Sequence, residues 1–379
     1  MTDEKEKIYE EHKSQIFRSK SFDDYSADEI EEAFSRVLMY LPNDAKLYKY
    51  RKFEEKSFKY AYDSLEQGHL WLSQASEFND DYDSTLNYNP EEEIIKIKNY
   101  LLGNPGLYLK HVYNNAYSGI KFGKTKMDHF YFGKVIDCVD YETGVIDEEK
   151  AVNLLETLGI LRKSAKDYIK LIKQFIDDLI TKNDELAKKI ADNFLDFNKS
   201  TRNSTYVYSM SESYDINSMW AYYADSNKGF CIEYDYNKAK SFPIEKKKVL
   251  INTLKVNYNK WEKEFSFIKL LKYFLTGKKD DELYLAANKE IIEELLSKEE
   301  NQWSHEREWR ILLSNAENVF FADLVSAIYI DERCITDKNC KENCEKLIEL
   351  CKTKKWKIIL RKTNRTNTAH TYEKYCGQD

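Results

Sequence analysis

Glycine and proline are scarce in this chain, 11 and 4 of 379 residues. Both punctuate turns, so their scarcity disfavours a turn-rich sandwich and favours long helices with short connections. No stretch approaches the run of about 20 apolar residues that a membrane helix needs. The opening MTDEKEKIYEEHK is charged and has no apolar signal-peptide core, so a cytoplasmic protein is expected. Positive charge is not in excess either: 59 Lys and Arg stand against 66 Asp and Glu, a net charge of -7. A protein that lives on duplex nucleic acid usually carries a basic balance, which leaves only a local basic face open here.

Histidine is rare. His12, His69, His111, His129 and His370 have no partner at ligand or triad spacing, and His305 alone borders a candidate segment. Of the cysteines, Cys138, Cys231 and Cys376 are isolated, while Cys340, Cys344 and Cys351 fall on one face of a helix. Zinc would need paired CxxC-like spacing, which is missing, so buried reduced thiols are expected. What is plentiful is aromatic: 29 Tyr and 19 Phe, in a chain whose 42 % hydrophobic content suits an ordinary core. The length suits two or three domain-sized units.

Residues 4–40 read as two helices, the second striped by Ile30, Phe34, Val37 and Leu38. Strands are expected at 47–51 and 70–73, flanking a helix marked by Phe58, Tyr62 and Leu65 that stops near Gly68. Residues 91–202 read as mostly helical, with Ile169, Ile172, Ile176 and Leu179 at helical spacing. Strands return at 205–211, 229–234, 247–257, from Glu306, at 327–330 and at 356–360. Helices fill 259–300 and 337–352. This divides the chain into an N-terminal helical segment (1–45), an α+β core (46–90 and 203–379) and a helical insertion (91–202).

Four constellations carry possible chemistry. In EREWRILL, strand alternation sends Trp309, Ile311 and Leu313 to the core and Glu306, Glu308 and Arg310 to the other face. Two carboxylates beside a guanidinium can be tuned apart in acidity. A solvated face with cross-strand ion pairs is the commoner use of that pattern. In TYVYSMSES, Ser209 and Ser211 share a face with Val207, and the following helix offers Trp220, Tyr223 and Ala224. No GxSxG elbow surrounds either serine, which argues against a nucleophile and leaves small residues under an aromatic helix as the simpler role. The loop Phe78-Asn79-Asp80-Asp81-Tyr82-Asp83 resembles a calcium loop but lacks the turn glycine and the closing Glu, so Asx turns explain it better than a metal. Arg51 ends the first strand after Lys49. Such an Arg is more often a surface residue, though in a cleft it grips carboxylate or phosphate bidentately.

Together LYKYRKF (47–53), LWLSQASEFNDDYD (70–83), SMSESYDINSMWAYYADSNKGFCIEYD (209–235) and EREWRIL (306–312) resemble the bacterial family catalogued as domain of unknown function 2971. The resemblance runs discontinuously over about 47–330 and implies no activity. More distantly, the order of an Arg strand, a Ser-x-Ser strand and a Glu-x-Glu strand resembles the ADP-ribosyltransferases. The separation between the last two strands is longer than that pattern expects. This resemblance implies a split mixed or antiparallel sheet of the ADP-ribosyltransferase-like type that grips NAD, with no metal. Glu308, Glu306 and Arg51 would be catalytic. Glu308 would face the oxocarbenium-like ribose, Glu306 would take the acceptor's proton, and Arg51 would hold a phosphate or ribose. Ser209, Ser211, Trp220, Tyr223, Arg310, Tyr48, Ser73, Asn79 and Asp80 would contact NAD. The acceptor, protein or nucleic acid, stays unknown, and a role in bacterial defence or as a toxin is the implied setting. Replacing Glu308 with Gln should disturb folding little, since an exposed or cleft carboxylate contributes little to stability. Two other readings compete: a magnesium-dependent nuclease or hydrolase using Asp80, Asp81, Asp83, Glu306 and Glu308, and a binding module without catalysis.

Overall fold

The computed structural model describes residues 2–18, 25–78, 80, 83–109, 126–140, 143–181, 183–259, 264–276, 281–314, 319–320, 322–363 and 370–375. The architecture is α+β, and the chain divides into two compact units. One comprises Met1–Thr85, Ser200–Lys263 and Ile292–Asp379; the other comprises Leu86–Lys199 and Glu264–Ile291. The N-terminal helices therefore group with the sheet, and 264–291 group with the helical residues 86–199.

The first unit is built on one mixed sheet. Its strands are β1 (Lys46–Lys52), β3 (Ser73–Gln74), β4 (Tyr206–Ser211), β5 (Gly229–Asp235), β6 (Thr253–Lys255), β7 (Glu308–Leu313), β9 (Val325–Asp331), β10 (Lys357–Thr363) and β11 (His370–Lys374). The order is β11-β10-β9-β5-β1-β4-β7-β6, with β3 added on β4. A separate two-stranded pairing joins β2 (His69–Leu70) to β8 (Val319–Phe320). Among the described strands only β9 and β10 pair in parallel. Parallel neighbours need a crossover, and the helix Lys341–Lys354 supplies it, burying Cys344, Leu347, Ile348, Leu350 and Cys351. Those thiols are free and packed as small apolar groups.

The sheet's two faces have separate cores. Leu47 of β1 enters the larger one, with Phe34, Val37, Tyr208, Met210, Trp309 and Ile328. Tyr48 and Tyr50 point the other way, into a smaller cluster with Trp220, Cys231, Ala327 and Tyr329. The helix Ala27–Tyr40 covers the larger face. Ser26 and Glu29 close its N-terminus as a capping box, and Tyr40 at its end stacks on Trp309 at 5.9 Å. On the smaller face lies the helix Asn217–Tyr223. It enters β5 through Asp225, Ser226 and Asn227, all with positive φ, and then Gly229. A Cβ at Gly229 would sit 2.3 Å from the Arg51 carbonyl and 2.7 Å from Ala224 Cα, so only glycine lets β5 pair here.

The second unit is helical: Pro90–Gly103, Lys126–Ile136, Glu148–Thr157, Arg162–Thr181, Ile268–Thr276 and most of Asn183–Ser204 and Asp281–Leu295. Phe194 and Phe267 stack at 4.4 Å, and the buried Glu93 accepts hydrogen bonds from the Phe267 N–H (2.8 Å) and Ser266 Oγ (3.1 Å). Among the described residues no helix is long and apolar enough to cross a membrane.

Three sequence expectations are corrected. The strand expected at 247–257 is a helix, Ile244–Leu250, followed by the short β6, because Leu250 and Ile251 turn into the core. The strand expected at 70–73 is two two-residue pieces. The strand containing EREWR begins at Glu308, not Glu306: residues 304–306 form a 3₁₀ turn, and Arg307 has φ 47°.

Candidate functional site

The site arises where two neighbouring strands part. β1 pairs with β5 along its whole length, from Lys46↔Asp235 to Lys52↔Gly229. With β4 it shares a single register pair, Tyr48↔Ser211. Further along, β4 pairs instead with β3, at Val207↔Ser73 and Tyr206↔Gln74. Between these contacts the Ser209 carbonyl has no strand opposite it and accepts a hydrogen bond from Lys49 Nζ. A side chain thus satisfies a ladder group that would otherwise be bared. The opening forms a cavity of about 220 Å³ within the first unit, smaller than the roughly 300–1,000 Å³ of typical ligand clefts.

One wall comes from β1: Tyr48, Lys49, Tyr50 and Arg51. Ser209, Met210 and Ser211 of β4 form the floor. Met219 and Tyr223 come from the helix Asn217–Tyr223, Phe78, Asp80 and Asp83 from the loop after β3, and Lys298 and Trp303 from the segment leading to Glu306 and Glu308.

Ion pairs organise the acidic side. Arg310 is fully buried. Its Nη1 and Nη2 donate to the two oxygens of Asp83, each at 2.8 Å. Its Nε and Nη2 reach the oxygens of Glu308 at 2.9 and 3.1 Å. Nη1 also donates to Ser84 Oγ and the Leu295 carbonyl, both at 3.0 Å. Lys298, 4.8 Å from the Trp303 ring centroid, adds bonds to Glu306 (2.7 Å) and Glu308 (3.0 Å) and lies 3.5 Å from Asp83. Burial alone would raise the Glu308 carboxyl, but Arg310 and Lys298, with hydrogen bonds from Arg310 and Ser209, hold it well below the usual carboxylate range. The Lys298 ammonium is correspondingly raised: burial opposes its charge, and Glu308, Asp83 and Glu306 outweigh it.

Glu306 is held differently. Its Oε2 takes Lys298, and its Oε1 takes the Tyr223 hydroxyl at 2.5 Å. Burial and the neighbouring Glu306 push that phenol upward. A carboxylate offers about four acceptor positions. Among the described residues Glu308 receives four donors, counting Ser209, whereas Glu306 receives two from side chains. Among the described residues Glu306 therefore keeps more acceptor positions open than Glu308.

Arg51, Ser209, Ser211, Tyr48, Tyr223, Asp80, Glu306 and Glu308 all line the one cavity. Other expected residues lie elsewhere. Arg310 supports Glu308 from behind and does not line the cavity. Trp220 is fully buried in the smaller core; its indole N–H donates to the Tyr214 carbonyl at 2.7 Å, and the Arg361 guanidinium lies 4.6 Å over its ring. It does not wall the cavity. Ser73 is exposed on β3, away from the cavity. Asn79 and Asp81 lie outside the described residues. Glu306 and Glu308 do not share a strand face. The left-handed Arg307 turns the chain between them, and their meeting at Lys298 comes from that turn. Glu308 is 5 % exposed and twice ion-paired, so it is not the exposed carboxylate whose loss would leave folding undisturbed. Among the described residues no group of three or more His, Cys, Asp or Glu is arranged to hold a metal ion.

Lys49 and Lys298 were not singled out in the sequence. Lys49 was within reach, since alternation in LYKYRK places it on one face with Arg51. Lys298 had no such signal: it lies eight and ten residues before its two partners, in an irregular segment.

No curated protein and no solved structure matches the chain. Residues 219–311, which carry Met219, Tyr223, Lys298, Trp303, Glu306 and Glu308 of the cavity wall but not β1 or β4, match the model of a family described as Protein of unknown function (DUF2971).

Proposed function

We propose that the cavity receives the nicotinamide end of NAD and cleaves its N-glycosidic bond, passing ADP-ribose to an acceptor in the manner of an ADP-ribosyltransferase. One observation carries this reading: Arg51, Ser209, Ser211, Glu306 and Glu308, which come from three strands and a turn, line one cavity where the sheet splits. In the reaction the bond between ribose C1′ and the pyridinium nitrogen breaks, and its electron pair leaves with neutral nicotinamide. The acceptor's lone pair forms the new bond to C1′, and its proton passes to a base. Glu306 suits that base, because it keeps acceptor positions open. Glu308 is held ionised by Arg310 and Lys298 and supplies fixed negative potential toward the developing oxocarbenium. Tyr48, Met219 and Tyr223 enclose the ring, and Ser209 steadies Glu308. A cavity of about 220 Å³ suits the reacting end of a dinucleotide, with the adenosine end outside.

The test is incubation of the purified chain with NAD labelled in the adenosine half, with and without cell extract. Nicotinamide release or a labelled acceptor is expected, and EDTA should not stop it. Glu306→Gln should lower the rate about a hundred- to thousandfold, the usual cost of one preorganised catalytic group. A folded protein that neither binds nor consumes NAD would end this reading, and EDTA-sensitive hydrolysis of another substrate would replace it with a metal-dependent one. If the chain acts as a toxin or defence effector, its expression should arrest growth only while Glu306 is intact.

A further inference from the structure

We infer that Arg361 is the positioning residue for the helix Asn217–Tyr223, which carries Met219 and Tyr223 into the cavity wall, and that protonation of His370 loosens its hold. Seven residues are too few for a helix to hold itself, since isolated helices shorter than about 12–15 residues are marginal in water. Its place must come from contacts, and one side chain supplies them at three points. Arg361, fully buried on β10, donates from Nη2 to Asn217 Oδ1 at the helix start (3.1 Å) and from Nη1 to Asn227 Oδ1 in the turn after its end (3.2 Å). Between them its guanidinium lies 4.6 Å over the ring of Trp220. Nη1 also donates to Asp331, fully buried on β9, at 2.8 Å. Arg333 holds the same carboxylate at 2.7 Å and reaches the Asn227 carbonyl at 2.9 Å. The charge of Arg361 is thereby balanced, and its planar fork fixes direction. A shift of this helix would draw the Tyr223 hydroxyl away from Glu306. Under the NAD reading Arg361 is thus a control on the proposed base, and only its effect on turnover rests on that reading.

A further partner of Arg361 titrates. Its Nη2 lies 2.6 Å from His370 Nε2. Arginine only donates, so this nitrogen is the acceptor of a neutral imidazole whose proton sits on Nδ1. Protonated His370 would set a second N–H and a second positive charge against the guanidinium. Burial, and next Arg361 itself, lower His370 from the ordinary histidine value, against Asp215, Asp331 and a hydrogen bond with the Lys362 backbone. Among the described residues the charged and titratable groups around it are Arg361 on β10, Asp331 on β9 with Arg333 beside it, and Tyr372 on β11, whose hydroxyl donates to Asp215 ahead of the helix at 2.6 Å. Lys362 and Glu373 pair with each other on the opposite face of β10 and β11. Because the bound form prefers neutral imidazole, the hold is complete above the ordinary value near 6.5 and is lost as pH falls through the lower value of the folded protein.

The experiment is hydrogen exchange of the intact chain, followed by mass spectrometry at about pH 7.5 and about pH 5 and corrected for intrinsic exchange. Residues 217–228 are compared with the helix Ala27–Tyr40 on the larger face, which reports the global loss caused by His12. On acidification the 217–228 amides should lose roughly tenfold more protection than that helix, the scale of one hydrogen bond to a charged group. His370→Gln, whose carboxamide oxygen accepts at either pH, should remove this difference. Arg361→Lys keeps the charge opposite Asp331 but cannot reach both asparagines, so 217–228 should already exchange roughly tenfold faster at the higher pH. Equal responses of the two segments in the unaltered chain, an unchanged difference in His370→Gln, or full protection in Arg361→Lys would each overturn the inference. Nicotinamide release is followed in the same samples. A chain that shows the exchange pattern but consumes no NAD keeps the positioning role and ends the NAD reading, and one that consumes NAD without the pattern does the reverse.

Discussion

Replacing Arg310 with Met should destabilise the first unit by about 3–5 kcal/mol, the usual cost of breaking a buried ion pair from one side. The guanidinium is fully buried and bonds both Asp83 oxygens, both Glu308 oxygens, Ser84 and the Leu295 carbonyl. Met fills comparable space, so little of the loss is packing. What remains is two carboxylates, each about 7 % exposed at the side chain, with Lys298 alone between them. Since folded domains are stable by about 5–15 kcal/mol, this change consumes a large part of the margin. The assay is urea unfolding at neutral pH, followed by circular dichroism and analysed for more than one transition because the chain has two units. Adding Asp83→Asn and Glu308→Gln to Arg310→Met should recover much of the loss, because those changes remove the stranded charges. A loss under about 1 kcal/mol in the single variant, or no recovery in the triple, would refute the view that mutual ion pairing holds this cluster.

Other expectations follow from the same geometry. The Glu308 carboxyl is depressed in the folded state, so its contribution is full above the ordinary carboxylate range near 4.3 and lost as pH falls; acid unfolding should begin at lower pH in Glu308→Gln once its lower baseline stability is subtracted. His12 is fully buried beside the Ile251 carbonyl, and burial lowers it to about 4. Stability should therefore fall by roughly 3 kcal/mol as pH drops from about 6.5 toward 4, and His12→Gln should flatten that slope in denaturant titrations. Gly229→Ala should lower stability by about 1–3 kcal/mol, since the Arg51 carbonyl and Ala224 backbone cannot yield as a flexible side chain would; an unchanged melting temperature would contradict the close approach. In NAD turnover Glu306→Gln should be the cleaner catalytic probe, because Glu308→Gln also unpairs Arg310 and Lys298. Equal activity in Glu306→Gln and the unaltered chain would remove Glu306 from the reaction.

Much of the sheet is legible from alternation. LYKYRK, YVYSMS, GFCIEYD and EWRILL each read as strands, and the structure uses each as one. Arg51, Ser209 and Glu308 were nameable for that reason. Their meeting was not, because it depends on β1 leaving β4 after one pair, and register between strands far apart in sequence is set by the whole sheet. Local pattern also misled at Glu306. A period of two continued through Arg307 puts both acids on one face, but Arg307 adopts a left-handed conformation that no local signal announces. Trp220 shows the opposite failure. A large aromatic on the helix that follows a serine pair looks like a pocket wall, yet it serves the core under Tyr50, at 5.4 Å.

The parting of β1 and β4 gives the sheet an edge in its interior. Outer edges are guarded in most proteins against pairing with another chain, and this inner one is guarded by Lys49 on the Ser209 carbonyl and by β3 across Tyr206 and Val207. Its lining is partly backbone. Trimming the guards would bare hydrogen-bonding groups as well as apolar surface, so a variant enlarged there would fill with bound water, unlike the dry voids that core truncations leave.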